Sequence, residues 1–389
     1  MDWIATAQEE LRRQGLAAWL IYDFRGSNPV AKRFMGLSGL ITRRVFLLVP
    51  ARGRLTLLVH AIERGSLPAL PYEIVAYSSR DSLEAELAEL LPADRIAMEY
   101  SPRNDIPYLS FVDAGTVELV RELGSQPVSS GDLLQAFSAW SPEQLAAHER
   151  AAAVLYRAKD AAFVHLAEEA SAGRTISESE VQKVIIAELR RGGLEFDHGP
   201  IVGFGENSGD PHYATPATGG RLLRRGDAIL LDIFAKEPGD ESPYADITWM
   251  GVYGEPSARL REVFEVVRDA RDLAVATMRK AYDAGRHPEG REIDRVVRDR
   301  ITSHGFGEAF IHRTGHSLGM NGTHGDAVHL DDFETRDTRR LLPGIAVTVE
   351  PGVYLPEFGV RSEIDVVLEA VGPRVTTEPQ RELTEVKVA

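Results

Sequence analysis

The chain has 389 residues, which exceeds what one ordinary hydrophobic core requires and predicts two domains. Hydrophobic residues make up 43% of the sequence and charged residues 26%, as in globular proteins, and the absence of cysteine excludes disulfides, thiolate nucleophiles and cysteine-based metal sites. The formal net charge of −15 argues against a nucleic-acid backbone or an anionic membrane as the main partner, because either partner requires a basic face.

The beginning of the chain predicts neither export nor a membrane. Residues 1–15 are typical of a short polar helix and lack the apolar core of a signal peptide. No stretch of the sequence approaches the roughly 18–20 apolar residues that cross a bilayer. We therefore expect a cytoplasmic protein.

The first third of the chain predicts a small α/β domain. β-Branched runs predict strands at residues 17–22, 45–49, 55–60 and 95–100. Leucines at helical spacing predict a helix at residues 81–91. Glycine, serine and proline accumulate between residues 125 and 140, where we expect this domain to end.

The rest of the chain predicts an α+β domain in which long helices pack on a curved, mainly antiparallel sheet. Ser141-Pro142-Glu143-Gln144 is typical of a helix start, because serine caps the helix and glutamine returns a hydrogen bond to the cap. Periodic apolar positions predict helices at residues 142–169, 177–191, 258–285 and 292–303. Apolar, β-prone runs predict strands at residues 228–235, 245–251, 346–350 and 360–368.

Each of these four strands contains an acid, which is Asp232, Asp246, Glu350 or Glu363. Burying an ionised carboxylate costs several kcal/mol unless it is paired or bound to a metal. One such acid would be typical of an outward-facing position, but four on one face cannot remain together without cations. The alternative is a structural salt-bridge network, and near these acids only Arg361 is an obvious partner.

One histidine completes a set of metal ligands. His316 lies in the segment GHSLG and adds an imidazole to the four carboxylates. Hard oxygen ligands with a single nitrogen favour Mn²⁺, with Co²⁺ and Zn²⁺ as alternatives. Two such ions about 3.5–4 Å apart could share Asp246 and Glu363 as bridging ligands.

At these residues the sequence resembles the pita-bread metallopeptidases, a superfamily that includes methionine aminopeptidase, aminopeptidase P, prolidase and the metal-free creatinase. The ligand order Asp, Asp, His, Glu, Glu matches, as do the segments GHSLG, TVEPGVY and GVRSEID. The resemblance implies a creatinase-type N-terminal domain at residues 1–135 and a pita-bread catalytic domain at residues 140–389. It also implies two divalent metal ions and a homodimer.

The resemblance implies further active-site residues. His212 matches a histidine near the scissile bond. A second histidine is expected seven residues after His316, but threonine stands there, so His324 is the nearest match and His329 is a competitor. Arg361 is a candidate for binding substrate or orienting a ligand carboxylate, and a plain structural ion pair is the equal alternative.

The predicted reaction is hydrolysis of Xaa-Pro bonds in small proline-containing peptides. A water that bridges two divalent ions becomes a hydroxide near neutral pH. Glu350 would shuttle its proton, His324 would stabilise the tetrahedral oxyanion, and His212 would hold the group beyond the cleaved bond. The preference for proline rests on the resemblance alone.

Three interpretations of the function remain open. The first is a prolidase, which cleaves Xaa-Pro dipeptides, and the second is an aminopeptidase P, which acts on longer peptides that begin Xaa-Pro. The extended loop at residues 318–332, with His324 and His329, favours the prolidase because it could close the pocket beyond proline. The third is a binding module without catalysis, which the complete ligand set disfavours.

The sequence departs from the family pattern beside two ligands. Ile233 and Phe234 follow Asp232 where a glycine is usual, and Trp249 stands where arginine is common. Residues 236–244 are rich in proline, glycine and acids and predict a loop between the two ligand strands. These departures leave the metal ligands intact but put the pocket shape and the substrate preference in question.

Overall fold

The computed structural model describes residues 2–36, 41–66 and 71–387. The chain divides into two compact units, Met1–Phe137 and Ser138–Ala389. Each unit has its own apolar cores. Within the described ranges, no helix combines the length and the apolar character that a membrane span requires.

The first unit is an α/β structure. In chain order, its described residues form α1 (Trp3–Gln14), β1 (Ala18–Phe24), α2 (Pro29–Met35), β2 (Arg44–Pro50), β3 (Leu55–His60), β4 (Tyr72–Tyr77), α3 (Arg80–Leu90), β5 (Arg95–Met98), α4 (Ala114–Glu122), β6 (Gln126–Ser129) and α5 (Gly131–Gln135). The strands form one sheet in the order β4-β3-β2-β1-β5-β6. Trp19 and Leu20 of β1 lie in different cores, because the sheet is covered on both faces. The creatinase-type assignment of this unit stays a prediction.

The second unit combines long helices with several small sheets. In chain order, its described residues form α6 (Pro142–Ser171), α7 (Glu178–Arg191), β7 (Ile201–Phe204), β8 (Ala228–Lys236), β9 (Tyr244–Tyr253), α8 (Ala258–Asp283), α9 (Gly290–Ser303), β10 (Ala346–Val349), β11 (Gly352–Tyr354), β12 (Gly359–Arg361), β13 (Ile364–Glu369), β14 (Gly372–Val375) and β15 (Thr384–Val386). The sheet orders are β15-β9-β8-β7, β10-β13-β14 and β11-β12. Every pairing of these strands is antiparallel except that of β15 with β9. The predicted α+β class is confirmed.

The predicted start of α6 is also confirmed. Ser141 Oγ accepts a hydrogen bond from the Gln144 N–H at 3.2 Å, and Gln144 Oε1 accepts one from the Ser141 N–H at 2.8 Å. Pro142 takes the first helical position, where its missing N–H costs nothing. The reciprocal bonds satisfy two of the backbone groups that a helix start leaves without partners.

The prediction that Glu350 and Glu363 lie inside strands was wrong. Glu350 lies between β10 and β11, and Glu363 lies between β12 and β13. Pro351 follows the first of these acids and has no N–H to donate to a ladder. The sheet is therefore interrupted at the level of both acids.

The two faces of the β8–β9 pair contact different parts of the unit. Ile233 of β8 and Ile247 of β9 pack into the apolar core formed with α6 and α7. Because side chains alternate along a strand, the neighbouring positions point to the opposite face. That face contains Asp232 and Asp246, so burial of one face on the helices directs the acids away from them.

We expect Ile247→Ala to lower the free energy of unfolding by about 2–5 kcal/mol, because it removes buried methylene groups and leaves a cavity beneath β9. Ile247 is 1% exposed. Urea denaturation followed by circular dichroism measures the loss. Val164→Ala is the control, since Val164 is 56% exposed and its truncation should cost less than about 0.5 kcal/mol. Equal losses in the two variants would contradict the assigned faces of β9.

Candidate metal centre

Asp232 and Asp246 lie on one face of an antiparallel strand pair. The register of β8 and β9 places Asp232 opposite Thr248 and Asp246 opposite Phe234. Alternate side chains of a strand share a face, so all four point away from α6 and α7. Diagonal neighbours on such a face lie about 7–8 Å apart. The two carboxylates can therefore reach a common centre.

Glu350 and Glu363 face each other at the break between two antiparallel strand pairs, β10–β13 and β11–β12, which together are called the second ladder. The β10–β13 and β11–β12 pairs have the same register, which would pair these two residues if the ladder were continuous. Thr348 Oγ1 donates to Glu350 Oε1 at 3.2 Å, and Thr248 Oγ1 donates to Glu363 Oε2 at 2.7 Å. Since Thr248 belongs to β9, the second bond joins Glu363 to the strand that contains Asp246.

His316 is buried and lies in a segment that runs beside β10. The Thr348 N–H donates to the His316 carbonyl at 2.8 Å, and the Leu318 N–H donates to the Ala346 carbonyl at 3.0 Å. His316 Nδ1 lies 2.9 Å from the Ser317 carbonyl oxygen. A carbonyl oxygen can only accept, so Nδ1 holds the proton and Nε2 presents a lone pair.

The His316 lone pair faces carboxylate oxygens. Nε2 lies 3.5 Å from Glu350 Oε1 and 3.8 Å from Asp246 Oδ2. Asp246, His316 and Glu363 offer ligand atoms that all lie within 4.8 Å of one another. Lone pairs at this range repel unless a cation lies between them. A donor set of carboxylates with one imidazole fits Mn²⁺, Co²⁺ or Zn²⁺.

The negative charge of the site exceeds the positive charge that the chain supplies. Burial raises the pKa of Asp246 well above its ordinary value, and repulsion from Glu363 and Asp232 raises it further. Burial also raises the pKa of Glu350 to about 7, although the Arg361 charge opposes this shift. Among the described residues, Arg361 is the one lysine or arginine ion-paired with any of these four acids, and its partner is Asp232. Asp246 Oδ1 is buried and has no hydrogen-bond partner in the described part of the chain, as expected for an oxygen that binds a metal.

Three residues of the site were not identified from the sequence. Tyr354 OH lies 2.8 Å from His312 Nε2 and accepts from Arg361 Nη1 at 3.3 Å. Asp365 is fully buried and accepts the Asp246 N–H at 2.9 Å. Tyr354 and Asp365 belong to the segments TVEPGVY and GVRSEID, which could have indicated them. His312 is a lone histidine with no such indication.

The other three predicted histidines, His324, His329 and His212, lie in three different environments. The His324 ring lies against the His316 ring with centroids 4.0 Å apart, and its Nδ1 is 3.2 Å from Arg313 Nη2. His329 is 4% exposed, and its Nδ1 accepts the backbone N–H of the residue after His316. His212 is exposed. This geometry favours His324 over His329 as the second active-site histidine, and the roles of all three stay predictions.

Comparison with known proteins identifies the family. Residues 146–370, which are more than half of the chain and include the five predicted ligands, match the family model of metallopeptidase family M24. The chain belongs to family M24.

The chain is also similar to curated relatives. It is 38% identical over 185 residues to the uncharacterized peptidase YqhT of Bacillus subtilis, a match that covers 47% of each chain. It is 30% identical over 229 residues to the Xaa-Pro dipeptidase of Pyrococcus furiosus, covering 58% of this chain and 60% of that protein. The chain spans about half the length of the curated relatives it matches.

The fold of this M24 protein also resembles a solved structure. Dipeptidase PepE from Mycobacterium ulcerans aligns with a TM-score of 0.63 and 23% sequence identity, over 99% of this chain and 97% of that chain. This likeness and the M24 match confirm the predicted pita-bread metallopeptidase fold. Membership in a metallopeptidase family implies divalent metal ions, which agrees with the buried donor set.

A buried carboxylate of this M24 chain holds the segment that contains His212. Glu178 of α7 is fully buried next to the largely irregular segment at residues 204–221. Its two oxygens accept hydrogen bonds at 2.5–2.9 Å from Phe204 N, Asn207 Nδ2, Tyr213 OH and Arg221 N. These donors lie on both sides of His212 in the sequence. Glu178 therefore fixes the backbone from which His212 projects.

We expect Glu363→Gln to stabilise the metal-free protein more at pH 8 than at pH 5. Burial first, and then repulsion from Glu350 and Asp232, raises the pKa of Glu363 well above its ordinary value of 4.5. The folded state keeps a proton that the unfolded state releases, so this acid lowers stability increasingly as the pH rises above its unfolded value. Thermal unfolding of the metal-free proteins at both pH values measures the difference. The control is Glu262→Gln, whose side chain is 57% exposed. If Glu363→Gln stabilises the metal-free protein no more at pH 8 than at pH 5, the inferred excess of buried negative charge is contradicted.

We expect Glu178→Gln to loosen residues 204–221 without unfolding the chain. Glutamine keeps one acceptor oxygen and turns an amide donor toward the remaining donors, which should cost about 1–3 kcal/mol. Hydrogen exchange measured by mass spectrometry should show faster exchange in this segment. Glu168→Gln, at an exposed position of α6, is the matched control and should leave exchange unchanged. Unchanged protection in the Glu178 variant would show that other contacts hold the segment.

Proposed function

We propose that this M24 protein is a two-metal hydrolase that cleaves Xaa-Pro dipeptides. The observation that supports this most directly is the convergence of buried Asp246, His316 and Glu363, with Asp232 and Glu350 beside them. The name of the Pyrococcus furiosus relative, an Xaa-Pro dipeptidase, supports the substrate class. A homodimer and a cytoplasmic location are further proposals that come from the sequence.

Asp232, Asp246, His316, Glu350 and Glu363 would hold the metal ions, with Mn²⁺ as the first choice of metal. When bound, the ions supply Lewis acidity and lower the pKa of a water between them. Glu350 is the proposed proton carrier, oriented by the Thr348 hydroxyl. In that role it would accept a proton from the attacking water and return it to the proline nitrogen as that nitrogen leaves.

His324 is the proposed donor to the scissile carbonyl oxygen. The Arg313 guanidinium can only donate, so the contact between Arg313 Nη2 and His324 Nδ1 leaves the ring proton on Nε2. Although the residue is partly open to solvent, desolvation of the ring and the charges of Arg313 and His212 lower the pKa of His324 to about 4, so the ring is neutral at pH 7. An N–H beside His316 can stabilise the negative charge that develops on the carbonyl oxygen. His212 would hold the substrate carboxylate.

Proline substrates suit such a site because the nitrogen of an Xaa-Pro bond has no hydrogen and the ring fixes the backbone. An enzyme that grips an extended peptide through that N–H has no group to hold. The loop at residues 318–332 is the proposed closure beyond proline. Asp331, which is fully buried, accepts hydrogen bonds from the Phe333 and Glu334 N–H groups, and His329 supports the loop from inside. A loop anchored in this way favours a dipeptide over a longer peptide.

The proposal is tested by hydrolysis of Ala-Pro and Ala-Pro-Ala with the Mn²⁺-loaded protein, followed by chromatography of the released alanine. We expect kcat/KM to be about tenfold or more higher for Ala-Pro. His316→Ala should lower it by about 100-fold or more, because a ligand is lost. His304→Ala is the matched control, since His304 is exposed and its Nδ1 contacts the Arg300 carbonyl.

Each alternative gives a different result in this assay. Faster cleavage of Ala-Pro-Ala would indicate an aminopeptidase P and contradict closure by the loop at residues 318–332. Cleavage of neither peptide by protein that has bound metal would contradict the proline preference. Equal activity of His316→Ala and the wild type would contradict the metal site.

A further inference from the structure

Asn321 is an exposed asparagine in the loop at residues 318–332, and Gly322 follows it. This is the one Asn-Gly pair in the sequence. Within the described ranges, the Asn321 side-chain amide and the Gly322 N–H make no hydrogen bond. The chain itself holds the side-chain carbonyl carbon close to the backbone nitrogen of the next residue, and no described partner competes for either group.

These two groups can react by deamidation. The Gly322 nitrogen loses its proton to base and attacks Cγ of Asn321, so that a C–N bond forms and the side-chain nitrogen takes up a proton and leaves as ammonia. The product is a cyclic succinimide. Water then adds to one ring carbonyl and breaks its bond to the nitrogen, which gives aspartate at the side-chain carbonyl and isoaspartate at the main-chain carbonyl. Because ring closure is intramolecular, water and base are the only co-reactants.

Two of the other asparagines are protected by burial or by hydrogen bonds. Asn28 is fully buried and precedes Pro29, which has no N–H and therefore cannot close the ring. Asn207 donates its side-chain amide to Glu178 at 2.9 Å, and the residue that follows it is buried. Neither side chain is free to turn toward a reactive nitrogen.

Asn104 is the natural comparison, because it is exposed like Asn321. Asp105 follows it, and the Asp105 N–H donates to the Pro102 carbonyl at 3.2 Å. The Asp105 side chain also crowds this nitrogen, whereas a glycine has no Cβ that could do so. Exposure alone therefore does not distinguish Asn321 from Asn104, but the residue that follows does.

The Asn-Gly pair lies inside the hairpin from Leu318 to His324. These two residues pair as antiparallel neighbours, and the Gly319 N–H donates to the Thr323 carbonyl at 2.9 Å. The His324 ring lies against the His316 ring with centroids 4.0 Å apart. Isoaspartate adds a methylene group to the main chain of this hairpin, and both products add a negative charge. The reaction would therefore change the backbone from which His324 projects.

We propose that Asn321 is a site of spontaneous covalent modification, at which the asparagine converts through a succinimide to aspartate and isoaspartate. The proposal goes beyond the proposed peptidase function, since neither the metal ions nor a substrate takes part. The rate rises with pH, because base removes the proton from the Gly322 nitrogen.

The experiment incubates the full-length wild type, Gly322→Ala and Thr323→Ala at pH 6 and at pH 9. Trypsin then releases residues 314–336 as one peptide in which Asn321 is the one asparagine, and mass spectrometry measures the loss of its amide. In the wild type this loss should be about tenfold or more faster at pH 9 than at pH 6, and faster than the loss at Asn104.

Gly322→Ala should slow the loss by about tenfold or more, because a Cβ crowds the attacking nitrogen. The hairpin accommodates this change, since the nearest heavy atom to such a Cβ is Asp197 Oδ2 at 3.9 Å. Thr323→Ala is the matched control in the same hairpin. It keeps the Asn-Gly pair and should react at the rate of the wild type.

Thermal unfolding after the incubation shows that each protein is still folded. Equal rates at Asn321 and Asn104 in the folded wild type, or equal rates in the wild type and Gly322→Ala, overturn the proposal. The protease Asp-N identifies the products, because it cleaves before aspartate and not before isoaspartate. Aspartate without isoaspartate would indicate direct hydrolysis and overturn the succinimide route. Since the readout is a mass, the result is independent of whether Xaa-Pro peptides are cleaved.

Discussion

The repulsion among buried carboxylates is the constraint on which the second unit depends. Two unit charges 4 Å apart interact by about 4 kcal/mol at an effective dielectric constant of about 20, and the site gathers four acids around His316. Arg361 pairs with Asp232 and leaves the other acids in excess. Burial makes this excess worse, as the raised pKa values of Asp246 and Glu363 indicate. Divalent cations held by these residues would remove the repulsion, and metal binding would then stabilise this unit.

Backbone features bring these acids together. In the β8–β9 pair, alternation directs apolar side chains to the helices and acids to the opposite face. In the second ladder, the interruption at Pro351 lets Glu350 and Glu363 turn toward the same space. Gly315 allows the His316 segment to approach β10, because a Cβ there would lie 2.1 Å from the Thr348 carbonyl oxygen. The site therefore requires a glycine without a side chain at position 315 as well as the ligand residues.

Polar groups outside the ligand set restrict the positions that the ligands can adopt. Tyr354 and His312 support Arg361, and Asp365 holds the backbone N–H of Asp246. Supporting hydrogen bonds of this kind orient metal ligands before the metal or the substrate binds.

The sequence by itself determined the candidate ligands, the α+β class and the start of α6, because apolar periodicity, capping residues and acids in apolar runs are local features. It did not settle which histidine lies against His316, since spacing made His324 the nearest match but left His329 as a competitor. The partners of Glu178 were also decided by the tertiary structure. Phe204 and Arg221 lie 26 and 43 positions along the chain from it. Such contacts depend on the packing of distant segments, which has no period that a local pattern can show.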